Sequence, residues 1–329
     1  MPGQERLQFL ATVADLYYIE GMSQAQIAGR FGHSRSAISR LLTEARDQGI
    51  VEISINHPLQ RLYTLEQKLR TTFGLTEARV AHRGMLNYQR TLRLLGKLGA
   101  NYLTEELPDG AILGISWGTA AHEVSQALQP RSRSGMHVVQ MIGSLGYGDP
   151  EIDGSEVVRA IANKLGAQHH SLDAPLLVRD QVGREALLGE RRIRATLEMA
   201  LNANYALVGI GSVLPERSSL LRAGYLDSND LLFLQQQGAV GDICVTHYDQ
   251  NGQILDLNIH ARLVGVGLQD LRKSSCKIVG IAAGKIKAPA ILGALRGGFV
   301  DILITDSTAA EEILALHSRK ATLKQSVVM

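Results

Sequence analysis

The sequence predicts an α/β protein in which a small N-terminal helix-turn-helix domain precedes a larger domain built on a mainly parallel sheet. Two observations lead to this fold class. Two short amphipathic patterns within residues 23–48 are separated by a glycine, as in two helices that cross at a tight turn. From Leu75 onward, short apolar runs alternate with amphipathic helical patterns, which is typical of parallel strands joined by crossover helices.

The composition is that of a globular protein with a sizeable core. The 329 residues are 45% hydrophobic and 20% charged, and this length favours one small and one large domain. The turn signal of Asn56, His57 and Pro58 marks the boundary, which gives predicted domains 1–57 and 58–329. The formal net charge of +2 is too small to indicate nucleic-acid binding by itself.

The sequence shows no targeting signal, no metal-ligand spacing and no membrane span. Cys244 and Cys276 are the only cysteines, and two unpaired thiols fit a reducing compartment. The N-terminus lacks a basic stretch followed by an apolar run, and no apolar stretch is long enough to cross a bilayer. We therefore expect a cytoplasmic protein without a metal or another cofactor.

The helix-turn-helix prediction rests on caps, a corner and two apolar faces. Ser23 and Ser34 are good N-cap residues, and Gly32 between the two helices suits a turn with positive φ. Each helix has apolar residues on one side only, at Ile27, Ala28 and Phe31 in the first and at Ile38, Leu41, Leu42 and Ala45 in the second.

The polar side of the second helix predicts DNA binding. Its N-terminal half normally enters the major groove, where Arg hydrogen-bonds guanine edges and Ser contacts bases or phosphates. An ordinary two-helix hairpin with a solvated polar face is the competing interpretation, which the joint fit of both helices and the corner disfavours. The predicted DNA-binding residues are Ser23, Gln24, Ser34, Arg35, Ser36, Ser39 and Arg40.

Two elements are predicted between the helix-turn-helix and the sheet. Residues 50–55 alternate like a short strand, and residues 59–74 form an amphipathic helix. This helix could link the two domains and pair with its copy in another subunit. Simple packing onto the larger domain is an equally good interpretation.

The larger domain contains seven predicted strands with helices between them. The strands cover residues 78–82, 111–116, 137–143, 205–211, 243–249, 277–284 and 301–306, and the helices residues 91–107, 119–128, 155–165, 289–295 and 308–316. This alternation predicts a mainly parallel sheet covered by helices on both faces. The Asn251-Gly252 turn also predicts an antiparallel hairpin that includes residues 253–259.

The loops that follow the predicted strands indicate a binding site. In such sheets a ligand lies beyond the carboxyl ends of the strands. Hydroxyls, glycines and a helix N-terminus after these strands suit a phosphate, two lysines can neutralise its charge, and an aspartate can accept bonds from sugar hydroxyls. The predicted effector-binding residues are Ser116, Gly118, Thr119, Gln140, Gly143, Ser144, Asp242, Lys285 and Lys287.

Several motifs resemble those of the SorC family of sugar-binding transcriptional regulators. They are GISWGT at 114–119, VVQMIGSLG at 138–146, GAVGD at 238–242 and the long segment 284–306, in addition to the helix-turn-helix. The resemblance implies a regulator of carbohydrate or polyol genes that binds operator DNA and a sugar, polyol or sugar-phosphate effector. It also implies a body that resembles the sugar-phosphate isomerase fold without catalysis, and dimers that assemble into tetramers.

The resemblance assigns Ser116, Gly118 and Thr119 to a first phosphate loop, Gly143 and Ser144 to a second, and ligand contacts to Asp242 and Lys287. Two departures from the family pattern bear on the ligand. Lys285 is an additional lysine, so either lysine of the pair could contact the effector. Met141 and Ile142 stand where some members carry polar residues, which favours a polyol or a monophosphate over a bisphosphate.

An enzyme is the alternative function. A sugar-phosphate isomerase with an appended DNA-binding module would use Asp242 as a general base, helped by Lys287. Turnover of sugar phosphates by the purified protein would distinguish it from a regulator.

Overall fold

A computed structural model describes residues 2–51, 59–146 and 150–326. The chain divides into two compact units, Met1–Pro58 and Leu59–Met329. The predicted domain boundary at residues 57 and 58 and most of the predicted strand at 50–55 lie outside the described residues. Both therefore stay predictions.

Unit 1 contains three helices around one small core. They are α1 (Pro2–Tyr18), α2 (Gln24–Phe31) and α3 (Arg35–Asp47). The predicted apolar positions of α2 and α3 are buried in this core, except for Phe31, which is partly buried. Gly32 ends α2 in the left-handed region at φ 67°, so the corner is the one predicted from the glycine.

The caps of α2 and α3 are formed by the two predicted serines. Ser23 accepts a hydrogen bond from the Gln26 backbone N–H, and the Gln26 side chain accepts one from the Ser23 N–H, which makes a capping box. Ser34 caps α3 by accepting from the Ala37 N–H at 3.1 Å. These caps set where each helix begins, and they fix the residues that open α3.

Unit 2 is built on a seven-stranded sheet in which every neighbouring pair is parallel. Its strand order is β1-β9-β8-β5-β2-β3-β4. The strands are β1 (Glu77–Ala81), β2 (Ile112–Ile115), β3 (His137–Gln140), β4 (Gln168–His170), β5 (Tyr205–Gly209), β8 (Lys277–Ile281) and β9 (Ile302–Asp306). The predicted α/β class and its mainly parallel sheet are confirmed, whereas β4 was not predicted.

The helices of unit 2 cover both faces of the sheet. Alternate strand residues point to two separate core clusters, so that Tyr205 and Leu207 belong to one and Ala206 and Val208 to the other. The helices are α4 (Tyr63–Phe73), α5 (Tyr88–Glu106), α6 (Thr119–Ala127), α7 (Gly154–Leu165), α8 (Gln181–Gly189), α9 (Arg191–Leu201), α10 (Ser219–Arg222), α11 (Ser228–Gln236), α12 (Asn258–Ala261), α13 (Leu268–Lys273), α14 (Ala288–Arg296) and α15 (Ser307–Ser326).

The predicted hairpin at residues 253–259 is present only in its first residues. A second hairpin, which was not predicted, lies earlier, between β6 (Ala239–Ile243) and β7 (Thr246–Asp249), which form a separate two-stranded antiparallel sheet. The predicted single strand 243–249 therefore contains a turn. After the Asn251-Gly252 turn, Ile254 forms an antiparallel bridge with Tyr248 of β7. Two backbone hydrogen bonds flank this bridge, from the Asp249 N–H to the Gln253 carbonyl oxygen at 3.0 Å and from the Leu255 N–H to the His247 carbonyl oxygen at 3.1 Å. The pairing ends there, and α12 begins at Asn258.

Helix α4 packs onto the body of unit 2. Leu69 is fully buried in the core, and Phe73 contacts the His317 ring edge-to-face at 4.9 Å. Glu66 is 4% exposed and accepts two hydrogen bonds from the Arg61 guanidinium and one from the Val80 N–H. The packing interpretation of this helix is thus confirmed, and pairing with a second copy stays a prediction.

Among the described helices, none combines the length and the apolar character that crossing a bilayer requires.

Candidate functional site

One cavity opens at the carboxyl ends of β8, β5 and β2, which are neighbours in the sheet. The residues that follow each of these strands line it, together with the β6–β7 turn and the first turn of α5. Of the predicted effector-binding residues, the cavity brings together Ser116, Gly118, Thr119, Asp242 and Lys287. This is the edge at which ligands bind in open parallel sheets.

The loop after β2 leads directly into helix α6. Ser116 is 4% exposed and its hydroxyl lies 3.4 Å from the Leu207 carbonyl oxygen of β5. Gly118 has φ 118°, a conformation that favours glycine, and its N–H donates to the Ile152 carbonyl oxygen at 3.0 Å. No side chain caps α6, so the N–H groups of its first turn, at Thr119 and Ala120, are available to an anion in the cavity.

The hairpin β6–β7 brings Asp242 to the end of β5. The Gly211 N–H donates to the Asp242 carbonyl oxygen at 2.8 Å, and a Cβ at position 211 would lie 1.9 Å from Asp242 Oδ1. Glycine at 211 is therefore what allows the carboxylate to approach the strand end. Asp242 Oδ2 also accepts a hydrogen bond from the Val245 N–H at 3.3 Å.

The turn of this hairpin is strained and contacts the cavity. Cys244 and Val245 have φ of 49° and 62°, although neither is glycine, and both line the cavity. Positive φ is a real outlier for a β-branched residue such as Val245. Burial raises the pKa of the Cys244 thiol to about 12, with Asp242 adding to the effect, so the thiol is neutral at physiological pH.

Lys287 supplies a buried ammonium to the cavity. It is 9% exposed, and its Nζ donates to the Ile210 carbonyl oxygen at 2.7 Å, so it reaches from the loop after β8 to the end of β5. Burial lowers the pKa of Lys287 to about 8, Asp242 opposes this, and Arg222 and Arg217 lower the pKa further. The Lys287 ammonium, which donates to the Ile210 carbonyl oxygen, is therefore suited to bind an anionic ligand in the cavity.

The two lysines of the predicted pair have different surroundings. Lys285 is exposed and its Nζ lies 3.1 Å from Glu312 Oε2, whereas only Lys287 lines the cavity. The two side chains of the turn Lys285–Lys287 therefore lie in different places, and which of them contacts an effector stays a prediction.

The second predicted loop supports the backbone instead of lining the cavity. Gln140 is fully buried, and its amide donates to the Ile142 carbonyl oxygen and accepts from the Leu172 N–H. A Cβ at Gly143 would lie 2.2 Å from the Pro175 carbonyl oxygen, and the Ser144 hydroxyl accepts from the Gln140 amide. Only Ile142 of this loop lines the cavity, and residues 147–149 lie outside the described part of the chain.

Three of the residues at the cavity that were not predicted are aromatic or charged. The Tyr88 ring lines it, and the Arg217 guanidinium stacks on that ring with Cζ 4.0 Å from its centroid. Arg222 donates to the hydroxyl of Ser219, another lining residue. With Lys287, the two arginines outnumber the carboxylates of Asp242 and of Asp306, whose charge acts on Tyr88, so the fixed charge around the cavity is positive.

Among the described residues, no group of three or more His, Cys, Asp or Glu side chains is arranged to hold a metal ion.

The predicted DNA-binding surface of α3 is open to solvent. Arg35, Ser36, Ser39 and Arg40 are all exposed, as is the capping Ser34. At the preceding helix, Ser23 is exposed and Gln24 is partly buried. These side chains share the outer side of the two helices, opposite the core of unit 1.

Glu44 on α3 is neutralised within unit 1. The Arg6 guanidinium forms two hydrogen bonds with its carboxylate, at 3.1 and 2.6 Å, which lowers the pKa of Glu44. This ion pair joins α1 to α3. It also reduces the repulsion that a free carboxylate on α3 would exert on a phosphate backbone.

Comparison with known proteins gives matches over nearly the whole chain. A family model described as a putative sugar-binding domain matches residues 57–315. The deoxyribonucleoside regulator of Bacillus subtilis is 33% identical over 94% of this chain and 98% of its own length. The sorbitol operon regulator of Klebsiella pneumoniae is 33% identical over 95% of this chain and 100% of its own length.

One solved structure is similar to this chain over nearly its whole length. The crystal structure of the full-length sorbitol operon regulator SorC from Klebsiella pneumoniae has a TM-score of 0.71 and 32% identity, covering 94% of this chain and 99% of that chain. Each of these relatives is named as a regulator, and none as an enzyme.

Proposed function

This chain belongs to the SorC family of sugar-binding transcriptional regulators, and from this we propose that it controls carbohydrate or polyol catabolism genes in response to a small effector. The effector is a sugar, a polyol or a sugar phosphate. The protein acts in the cytoplasm, where the operator DNA lies.

The proposed effector-binding site is the cavity at the ends of β8, β5 and β2. Lys287 binds the phosphate or the most electronegative group, and Arg217 and Arg222 strengthen the positive potential around it. Asp242 accepts hydrogen bonds from hydroxyls, and the first turn of α6 binds a further oxygen of the ligand. The two outer strands of the three lie about 10 Å apart, a span that suits an extended sugar phosphate.

Unit 1 binds the operator through the outer face of α3. Arg35 and Arg40 read base edges or bind phosphates in the major groove, and Ser36 and Ser39 contact bases or phosphates. Ser23, Gln24 and Ser34, at the helix starts, bind the phosphate backbone, where the N–H groups of helix N-termini also attract anions.

The protein acts as a homo-oligomer, a dimer or a tetramer. Half-sites on DNA lie a fixed distance apart, so two copies of unit 1 must be held at a matching separation. Effector binding alters this separation through α4, the first helix of unit 2 along the chain, and operator affinity changes as a result.

A thermal-shift screen of the purified chain against sugars, polyols and their phosphates tests the effector proposal. A ligand that binds the folded state raises the melting temperature, by an amount that grows with its concentration. We expect sugar phosphates or polyol phosphates to give the largest shifts. A screen in which no carbohydrate raises the melting temperature would remove the sensing role.

The charge state of Lys287 predicts a pH dependence of effector binding. Because the Lys287 pKa is lowered to about 8, the ammonium is mostly charged at pH 7 and mostly neutral at pH 9. A phosphate keeps its double charge across this range, since its second pKa is about 6. Affinity for a phosphorylated effector should fall about tenfold between pH 7 and pH 9.

Isothermal titration at several pH values measures this dependence. The K287M variant provides the control, because its weaker binding should vary little over the same interval. Affinity of the unaltered protein that stays constant to pH 9 would exclude the Lys287 ammonium as a ligand group.

A further inference from the structure

Two histidine rings stack at the β6–β7 hairpin, which brings Asp242 to the cavity. His247 lies on β7, opposite Asp242 in the register of the hairpin, and His260 lies on α12. The two rings are nearly parallel, with their centroids 5.6 Å apart and an interplanar angle of 10°. The backbone N–H of His247 donates to Nε2 of His260 at 2.9 Å, so His260 ties β7 to α12.

The bond to His260 is one of the contacts that hold the hairpin at the cavity. On the β6 side, the Gly211 N–H donates to the Asp242 carbonyl oxygen. On the β7 side, the His247 N–H donates to the His260 ring. Because Asp242 and His247 are a directly opposed pair, a displacement of β7 also displaces the Asp242 carboxylate. Burial lowers the pKa of Lys287 and this carboxylate opposes the effect, so both charged groups depend on where the hairpin lies.

The bond requires that Nε2 of His260 carries no proton. In a neutral imidazole one ring nitrogen is an acceptor, whereas in a charged imidazole both are donors. A proton on His260 Nε2 would set two N–H groups against each other, beside the stacked ring of His247. His247 is 1% exposed and its buried Nδ1 has no partner among the described residues, so a second proton on that ring would lack an acceptor. His260 is only partly buried, so a proton from solvent can reach it.

We propose that His260 is a positioning residue for Asp242, whose uncharged ring holds the β6–β7 hairpin at the cavity and whose protonation releases it. Acid then weakens effector binding. This inference rests on the proposed function and deepens it, because it names a group outside the cavity that regulates the site.

The groups around the two rings set the pH range of this release. Burial lowers the pKa of His260 to about 4, His247 lowers it further, and Asp256 opposes them. Burial also lowers the pKa of His247, which Asp242 and the Val245 backbone oppose. A released His260 returns towards its ordinary pKa of 6.5. The held hairpin is therefore fully favoured above about pH 6.5, and it loses this advantage as the pH falls from there towards about 4.

Other charged side chains on the elements packed around the hairpin have partners of their own or lie in solvent. Arg262 and Arg296 donate to backbone carbonyl oxygens, Asp249 accepts from backbone N–H groups of its own turn, and the charged residues of α13 are exposed. The charged residues of α13 are Asp270, Arg272 and Lys273. Asp242 and Asp256 are therefore the charged groups that oppose burial of the two rings.

Hydrogen–deuterium exchange of the full chain tests the release of the hairpin. Protection of the amides of residues 239–249, corrected for the intrinsic effect of pH, reports how often the hairpin opens. From pH 7.5 to pH 5.5 the unaltered protein should lose about tenfold more protection than H260Q. Glutamine keeps an oxygen that accepts from the His247 N–H and takes up no proton. H169Q is the matched control, because His169 is exposed on β4 and its loss should leave the acid response in place.

Isothermal titration with D-glucitol 6-phosphate and D-ribose 5-phosphate as probes measures the link to the effector site. The charge of the phosphate group changes near pH 6 for the unaltered protein and for H260Q alike. The ratio of their affinities therefore isolates position 260. We expect this ratio to fall by up to about tenfold from pH 7.5 to pH 5.5, because a smaller share of the unaltered protein keeps the hairpin in place.

The outcomes separate the inference from the function beneath it. Equal losses of protection in the unaltered protein and H260Q, or no loss in the unaltered protein, would overturn the positioning role of His260. A loss of protection with a constant affinity ratio would overturn its link to the effector. Binding of neither probe at any pH would count against the proposed effector class, while the exchange measurement still decides whether His260 holds the hairpin.

Discussion

Replacing Lys287 with methionine should abolish the response to a phosphorylated effector and leave operator binding intact. Methionine has a similar length and is apolar, so it fills the buried site while removing the ammonium that bonds the Ile210 carbonyl oxygen. Loss of one partner from a buried charged hydrogen-bonded contact costs about 2–5 kcal/mol of binding. Effector affinity should therefore fall by at least about 30-fold.

Lys285 provides a matched control for this substitution two residues away. Its side chain is 69% exposed and pairs with Glu312, outside the cavity. K285M should therefore keep the effector affinity of the unaltered protein, measured by isothermal titration. Loss of binding in K285M with normal binding in K287M would move the ligand to another site.

Replacing Arg35 with alanine should lower specific DNA affinity by about 1–3 kcal/mol, which is about 5- to 150-fold. Arg35 is the first residue of α3, directly after the capping Ser34, and it is exposed. An arginine that bonds two acceptors of a guanine also fixes the base at that position. R35A should therefore tolerate other bases there, as measured by fluorescence anisotropy with substituted operators.

Arg46 is the control for Arg35, because it lies in the last turn of the same helix and bonds the Thr43 hydroxyl. R46A should leave the base preference unchanged, since the N-terminal half of the recognition helix contacts the bases. Folding of both variants is checked by circular dichroism. Unaltered affinity and unaltered base preference in R35A would remove Arg35 from the interface.

Helices α2 and α3 follow from the sequence almost residue by residue because their signals are local. Ser23 and Ser34 cap their helices through bonds to residues three positions ahead, and Gly32 forms the corner with its own backbone. The buried faces of α2 and α3 follow from the helical period alone. These signals come from residues close together in the chain.

The sheet was predicted in class but not in every element. Strand β4 is three residues long and contains two histidines, so it carries no apolar pattern. The Asn251-Gly252 signal marks a real turn with a short antiparallel pairing after it, whereas the β6–β7 turn was not predicted because it uses Cys244 and Val245 at positive φ. Because cysteine and valine rarely adopt positive φ, their presence in a sequence does not predict a turn.

The candidate site was found through the rule that ligands bind at the carboxyl ends of strands. As this rule predicts, Asp242 and Lys287 line one cavity, and their contact with an effector stays a prediction. The rule does not distinguish a glycine that leaves room for a ligand from a glycine that leaves room for another backbone segment. Gly143 is of the second kind, because it lies directly against the Pro175 backbone. Arg217 was missed because its position over Tyr88 depends on a contact between residues far apart in the chain.

The most direct test of the whole account is the affinity of the full chain for its operator, with and without the sugar phosphate that stabilises it. The operator duplex is selected by the protein from a randomised library and labelled for fluorescence anisotropy. We predict that a saturating effector changes operator affinity by about 5- to 150-fold, the usual range of coupling between two sites. The same affinity in both conditions would contradict the claim that unit 2 senses a carbohydrate on behalf of the DNA-binding unit.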